Sequence, residues 1–142
     1  MTKMNKNEEN DKNNLNKERD LKKRTKAFAI RIIRLVQHLN EKGPISAKII
    51  ANRQLLRSGT AVVANYRAAC RCKSRKDFIS KMGTEVEECD ETQLWLELLI
   101  DSGLVKLQLI HDLLKESGEL TAIMTKSKGS AIKNQSKNKD AG

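Results

Sequence analysis

The sequence predicts an all-α protein, an antiparallel up-down-up-down four-helix bundle with disordered N- and C-terminal tails. Three observations carry this. Apolar residues recur at three- and four-residue spacing in four separate stretches, the period of an α-helix. The two-residue alternation of a half-buried strand is found nowhere. The connections between the stretches are short, and short connections make successive helices antiparallel neighbours.

The first helix is expected over about Asp20–Leu39. Phe28, Ile32, Leu35 and Leu39 form its stripe, which Ala29, Ile33 and Val36 widen. Asn40-Glu-Lys-Gly43-Pro44 ends it, with Gly43 suited to a left-handed cap and Pro44, the only proline, unable to continue the helix. A second, long helix follows from about Ile45 to Lys73, interrupted in propensity by Ser58-Gly59, which points to close packing or a slight bend there. Ser74 then caps a third helix, with Asp77 in its first turn. Phe78, Met82, Cys89, Leu96 and Ile100 form its apolar stripe, and Asp101-Ser-Gly103 ends it. A fourth helix over about Leu104–Met124 has Leu107, Ile110, Leu114 and Ile123 as its seam.

Domain organisation follows from composition. Residues 1–20 are Asn- and Lys-rich with almost no apolar content, and residues 127–142 are similar; both are expected to be disordered basic tails. The bundle occupies 21–126, enough for one modest core. There is no secretory signal and no apolar run long enough for a membrane span. Three cysteines, Cys70, Cys72 and Cys89, fit a reducing compartment, so a cytoplasmic protein with no membrane partner is expected.

The formal net charge is +10, and it is unevenly placed. Between Lys26 and Lys76 there are twelve basic residues and one acid, Glu41, a balance of +11; between Asp77 and Ile123 there are three bases and eleven acids, a balance of −8. Such separation suits a polyanionic partner or association between opposite faces of two copies. Within the basic half, Arg53, Arg57, Thr60, Ala64, Arg67, Arg71 and Arg75 succeed one another at three- or four-residue spacing, which keeps them on one helical face. Arginine suits planar, bidentate contacts with phosphate. The candidate nucleic-acid-binding residues are therefore Arg53, Arg57, Arg67, Arg71, Lys73, Arg75 and Lys76. The same residues also read as a solvated face, or as half of a subunit interface.

Folding helices two and three together about Ser74 sets residues equally distant from it side by side. Arg57 then faces Glu91, Thr60 faces Glu88, and Glu85, an acid within the apolar stripe, faces Val63 within a turn of Asn65 and Tyr66. Asn65, Tyr66, Glu85, Glu88 and Glu91, with Arg57, are candidate structural polar contacts between the helices, because a carboxylate in an apolar stripe needs partners.

Catalytic and metal signatures are not apparent. The only histidines, His38 and His111, come three residues after Leu35 and Gln108, so the Glu-x-x-His pairs of di-iron bundles are missing. Cys70 and Cys72 are two apart on a helix and point in different directions. No nucleophile constellation or Gly-rich phosphate loop is found. Neither catalysis nor a cofactor is expected.

The stretches Arg53-Gln-Leu-Leu-Arg57-Ser58-Gly59-Thr60, Ala64-Asn65-Tyr66-Arg67, Asp77-Phe78-Ile79-Ser80-Lys81, Glu85-Val-Glu87-Glu88-Cys-Asp90-Glu91-Thr92 and Trp95-Leu-Glu97 occur in order. Together they resemble the small four-helix-bundle family encoded in intervening sequences of bacterial 23S ribosomal RNA genes, over about Arg24 to Lys126. Val63 stands where that family usually has a small residue, and Ala68 where it usually has Glu. The resemblance implies a homo-oligomer, a pentameric barrel of bundles, without known enzymatic activity. A relative similar in fold is the accessory protein of diversity-generating retroelements, which binds nucleic acid and a reverse transcriptase. Three functions compete: a non-enzymatic, oligomeric RNA-binding protein; a scaffold whose basic face meets a protein partner or its own acidic face; and an accessory subunit of a reverse transcriptase. Gene neighbourhood separates them, since a ribosomal RNA operon favours the first and a retroelement the third.

Overall fold

Asn5 opens the first helix. Its side-chain oxygen accepts a hydrogen bond from the Glu8 N–H at 2.8 Å, and Glu8 and Glu9 place acids in the first turn, where the helix dipole favours them. Helix α1 then runs unbroken over Lys6–Lys42 in a computed structural model that describes residues 5–141. Gly43 ends it in an extended conformation (φ −84°), not the left-handed one expected. Glycine serves there through its size: an added Cβ would lie 2.6 Å from the Leu39 carbonyl oxygen, which the Gly43 N–H reaches at 2.8 Å.

The second rod begins after Pro44 as α2 (Ile45–Ile50), passes through a π turn (Ala51–Leu55) and continues as α3 (Leu56–Cys70). The expected single helix is thus interrupted by a wide turn. Ala47, Ala51 and Leu55 are all buried at a spacing of four. Such a run drifts around an α-helix, which needs 3.6 residues per turn. The wider π turn takes up the surplus and keeps all three on the core side. Asn52 holds the turn: its amide donates to the Lys48 carbonyl at 2.8 Å and exchanges hydrogen bonds with Asn40 of α1 at 2.6 and 3.0 Å.

Helix α4 (Arg75–Asp101) starts at Ser74, whose hydroxyl accepts from the Asp77 N–H at 3.1 Å. It ends at Asp101, and Gly103 just beyond it has φ +76°. Helix α5 spans Leu107–Ala141. Paired levels show that neighbours run in opposite senses. Asn40 meets Asn52 and Ile32 meets Gly59; Gln93 lies by Gly118 and Lys128 by Gly83; and the short turn between Cys70 and Arg75 folds α4 back along α3, where Arg57 meets Glu91 and Ser58 meets Thr92. The chain is an all-α four-rod bundle, and no strand occurs among the described residues.

Phe28, Ile32, Leu55, Val62, Met82, Leu96, Leu99, Leu120 and Met124 form the centre of the core. Ser58-Gly59 marks a close contact between α3 and α1, because a Cβ on Gly59 would fall 2.7 Å from Ile32 Cγ2. Two expectations about facing need correction. Ile33 is exposed, and the α5 seam is Ile110, Leu113, Ser117, Leu120 and Met124, with Leu107 exposed at 45% and Leu114 and Ile123 only partly covered.

The two helices at the ends run on past the bundle core. Of the segments 1–20 and 127–142, residues 1–4 and 142 lie outside the described residues, while 6–20 continue α1 and 127–141 continue α5. Neither continuation meets a proline, and the Asn5 cap satisfies an N–H group that would otherwise lack a partner. Side chains from Asn5 to Lys17 are exposed, so this part of α1 adds nothing to the core.

Candidate nucleic-acid interface

The arginines that share a face in the sequence are divided by the structure. Arg53 lies in the π turn and is exposed. Arg57 is engaged by α4: its guanidinium lies 3.3 Å from a Glu88 oxygen and hydrogen-bonds Glu91, which also accepts from Trp95 Nε1 at 3.2 Å. The hydrogen bond with Glu91 raises the Arg57 pKa and holds the Glu91 carboxyl below its ordinary range. The positive charge of Arg57 is therefore matched within the bundle.

Further along α3 the acids run out. Arg67 is exposed in the last turn, and Arg71 caps the helix, with its N–H on the Ala68 carbonyl at 3.2 Å. Cations at a helix C-terminus complement the dipole. Lys73 lies in the turn, and Arg75 and Lys76 open α4. At that helix N-terminus the dipole disfavours cations, so Arg75 and Lys76 contradict the local stability rule. All five are exposed, and none has an ion pair among the described residues. Arg75 belongs to α4, so it does not extend the α3 stripe; the turn brings it to the same end of the bundle.

A second basic surface escaped the sequence reading. On α1, Arg19, Lys23, Lys26 and Arg34 are exposed, opposite the buried Phe28–Ile32–Leu35 stripe. Ile32 and Gly59 touch, and the two helices are antiparallel, so Arg67, eight residues past Gly59, lies level with Arg24, eight before Ile32. Arg71 is level with Asp20 by the same count. Arg19, Lys23 and Lys26 are therefore level with the lower half of α3 along the bundle axis, on the outward face of α1. Their four- and three-residue spacing was the available signal, masked by the neighbouring acids Glu18 and Asp20. Arg24 itself faces α5 and is held by Glu116, at 2.9 Å from Nε, and by Glu119. These bonds raise its pKa.

The remaining polar candidates serve the interior. Glu85 is completely buried; Cys89 Sγ donates to its Oε1 at 3.4 Å, and Oε2 has no partner among the described residues. Burial pushes the Glu85 carboxyl up to about 8. Asn65 and Tyr66 do not supply the partners expected for it. The Asn65 amide donates to the Ala61 carbonyl of its own helix at 3.0 Å, and Tyr66 is buried with its own pKa raised, chiefly by burial. Helical Asn often bonds back along its own turn, which satisfies it without reaching a neighbour. Thr60 likewise donates to the Leu56 carbonyl at 2.7 Å and leaves Glu88 to Arg57. Thr92 and Ser58 form the one buried hydroxyl pair between α3 and α4 among the described residues, at 2.9 Å. Among the described residues no group of three or more His, Cys, Asp or Glu side chains could hold a metal, and no helix is long and apolar enough to cross a membrane.

Comparison with known proteins places this arrangement. A search of curated proteins finds no match. Among solved structures, a protein of unknown function from the S23 ribosomal protein family of Bacteroides thetaiotaomicron is similar, with a TM-score of 0.70 and 31% sequence identity, covering 80% of this chain and 98% of that one. The family model described as 23S rRNA-intervening sequence protein matches residues 17–126, from within α1 to within α5. The chain belongs to the 23S rRNA-intervening sequence protein family.

Proposed function

We propose that the chain is a non-enzymatic, oligomeric nucleic-acid-binding protein that holds structured RNA on the basic end of its bundle. One observation carries the reading. Arg67, Arg71, Lys73, Arg75 and Lys76 gather at the α3–α4 turn, exposed and without acidic partners among the described residues, two of them where the helix dipole opposes them. Arg19, Lys23 and Lys26 of α1 are exposed at the same end of the bundle and add to its positive field. Charge placed against the local rule is retained for an external anion, and a duplex backbone is the anion with matching extent. Affinity then comes from phosphates and falls steeply with salt, with little base preference. Membership of a family named for ribosomal RNA intervening sequences supports RNA as the partner.

Self-association belongs to the same proposal. At the opposite end, Ile45, Ile49, Leu107 and Leu109 are exposed, Ile45 at 73%. Apolar groups gathered in this way suit a contact between copies, and the +11 and −8 halves favour a head-to-tail ring, for which five subunits is the number the family resemblance implies. The same apolar end favours, as a second reading, an accessory role in which a protein such as a reverse transcriptase docks there.

The test titrates the full-length protein with duplex RNA at rising salt. Changing Arg67, Arg71 and Arg75 together to Glu should remove most of the affinity and flatten the salt slope while circular dichroism stays unchanged. Unchanged binding by that variant, or none by the parent at low salt, would leave the docking reading instead. Light scattering that gives the mass of one chain would remove the ring.

A further inference from the structure

The core does not fill the basic end of the bundle. Below Tyr66 and Met82 the rods enclose a cleft of about 790 Å³, bounded by α1, α5 and the α3–α4 turn. Its floor is apolar and partly aromatic, with Leu21, Tyr66 and Phe78. Its edge carries four cations, Lys17, Lys73, Arg75 and Lys126, against one acid, Glu18. Hydroxyls and amides, among them Ser74, Ser127 and Asn134, also line it.

We propose that this cleft receives an unpaired nucleotide of the bound RNA, its base on the apolar floor and its phosphates on the cationic edge. The inference rests on the nucleic-acid reading above and adds a site to it. Three features favour a nucleotide. The edge is net positive, so the occupant is an anion. The cleft has the volume of a small-molecule site and a floor with Tyr66 and Phe78, which suits a planar ring more than an extended acidic chain. Arg75 and Lys73 belong both to the cleft and to the exposed basic surface, so a strand lying on that surface reaches the mouth without a gap. Proteins that read unpaired RNA splay bases out onto aromatic side chains in this way.

Two thiols make the site measurable. Cys70 and Cys72 line the cleft and are partly exposed, whereas Cys89 is buried in the core beside Glu85. Full-length protein is mixed with a blunt RNA duplex, or with the same duplex carrying a short single-stranded overhang, and alkylation of each cysteine is followed by mass spectrometry. The overhang should bind about tenfold more tightly than the blunt duplex and slow alkylation of Cys70 and Cys72 severalfold, with Cys89 unreactive throughout. Lys126→Glu, on the exposed edge and harmless to the core, should abolish the preference for the overhang and leave blunt-duplex affinity within about threefold. Phe78→Leu should reduce the preference at constant salt slope. Equal binding of both RNAs without thiol protection overturns the cleft site while the duplex reading stands. Failure of either RNA to bind at low salt overturns both. Protection of the two thiols by a poly-glutamate peptide as strong as that by the overhang also overturns the nucleotide assignment.

Discussion

Arg57 and Arg67 sit ten residues apart on one helix, and they do different work. Around Arg57 the α3–α4 hairpin is closed. The guanidinium meets Glu88 and Glu91, Ser58 and Thr92 share a hydroxyl contact, and Gly59 lets Ile32 of α1 approach within van der Waals reach. Around Arg67 the hairpin is open. No acid of α4 reaches Arg67, Arg71 or Lys73 among the described residues, and the interior gives way to a cleft. A charge stripe that is uniform in sequence is therefore an ion-pair clamp at one end and an unmatched surface at the other. The acids of α4 decide this, since Glu88 and Glu91 lie near its middle and Arg75 and Lys76 occupy its start.

The contrast between the closed and open ends can be tested by substitutions whose expected effects rank by size. Changing Arg67, Arg71 and Arg75 together to Glu should weaken duplex RNA at least about a hundredfold, because each phosphate contact contributes counterion release. Thermal stability should hardly move, and a loss of helical content would show that the open end is structural after all. Gly59→Val tests the closed end in the opposite sense. The extra atoms must displace Ile32, so denaturant unfolding should show a loss of about 2–3 kcal/mol, with RNA affinity of the folded protein unchanged.

Glu85 lies between the two regions, and its effect should be smaller. Its folded pKa, about 8, stands above the ordinary 4.5, so the folded state binds the extra proton. The contribution of Glu85 to stability is then greatest below about pH 4.5 and declines as pH rises toward 8, the reverse of a paired carboxylate such as Glu91. Cys89 beside it donates one weak bond, and Glu88 adds repulsion, so nothing nearby restores the charged form. Glu85→Gln should flatten that slope and stabilise the bundle at pH 8 by about 1–2 kcal/mol, as followed by chemical denaturation across pH. A change of slope in the opposite direction on Glu85→Gln would mean that Glu85 has found a cationic partner. Arg57→Ala should have the least effect, a loss of about 0.5–1 kcal/mol, because the pair is half exposed, and it should leave RNA binding within about twofold. A large loss of RNA affinity in Arg57→Ala would erase the distinction between the two ends.

Features set by a few neighbouring residues, or by distance from a turn of known position, were legible in the amino-acid sequence. The α1 stripe of Phe28, Ile32, Leu35 and Leu39, the Ser74 cap and the end at Asp101–Gly103 are of the first kind, and each is where periodicity and capping put it. The level of Arg57 with Glu91 is of the second, since counting outward from Ser74 works when both helices rise equally per residue. Packing between the rods decided the rest. The π turn at Ala51–Leu55, with Ala47, Ala51 and Leu55 all on the core side, is something no propensity scale contains. The α5 seam moved to Leu113, Ser117 and Leu120 because a helix with apolar residues on several faces takes its orientation from its packing partners. The continuation of α1 to Lys6 and of α5 to Ala141 could not be read from tails so poor in apolar residues. The isolation of Glu85 and the cleft beneath Tyr66 are three-body facts. They depend on where α1 and α5 close against the hairpin, and packing of rods over the full length of the bundle sets that geometry.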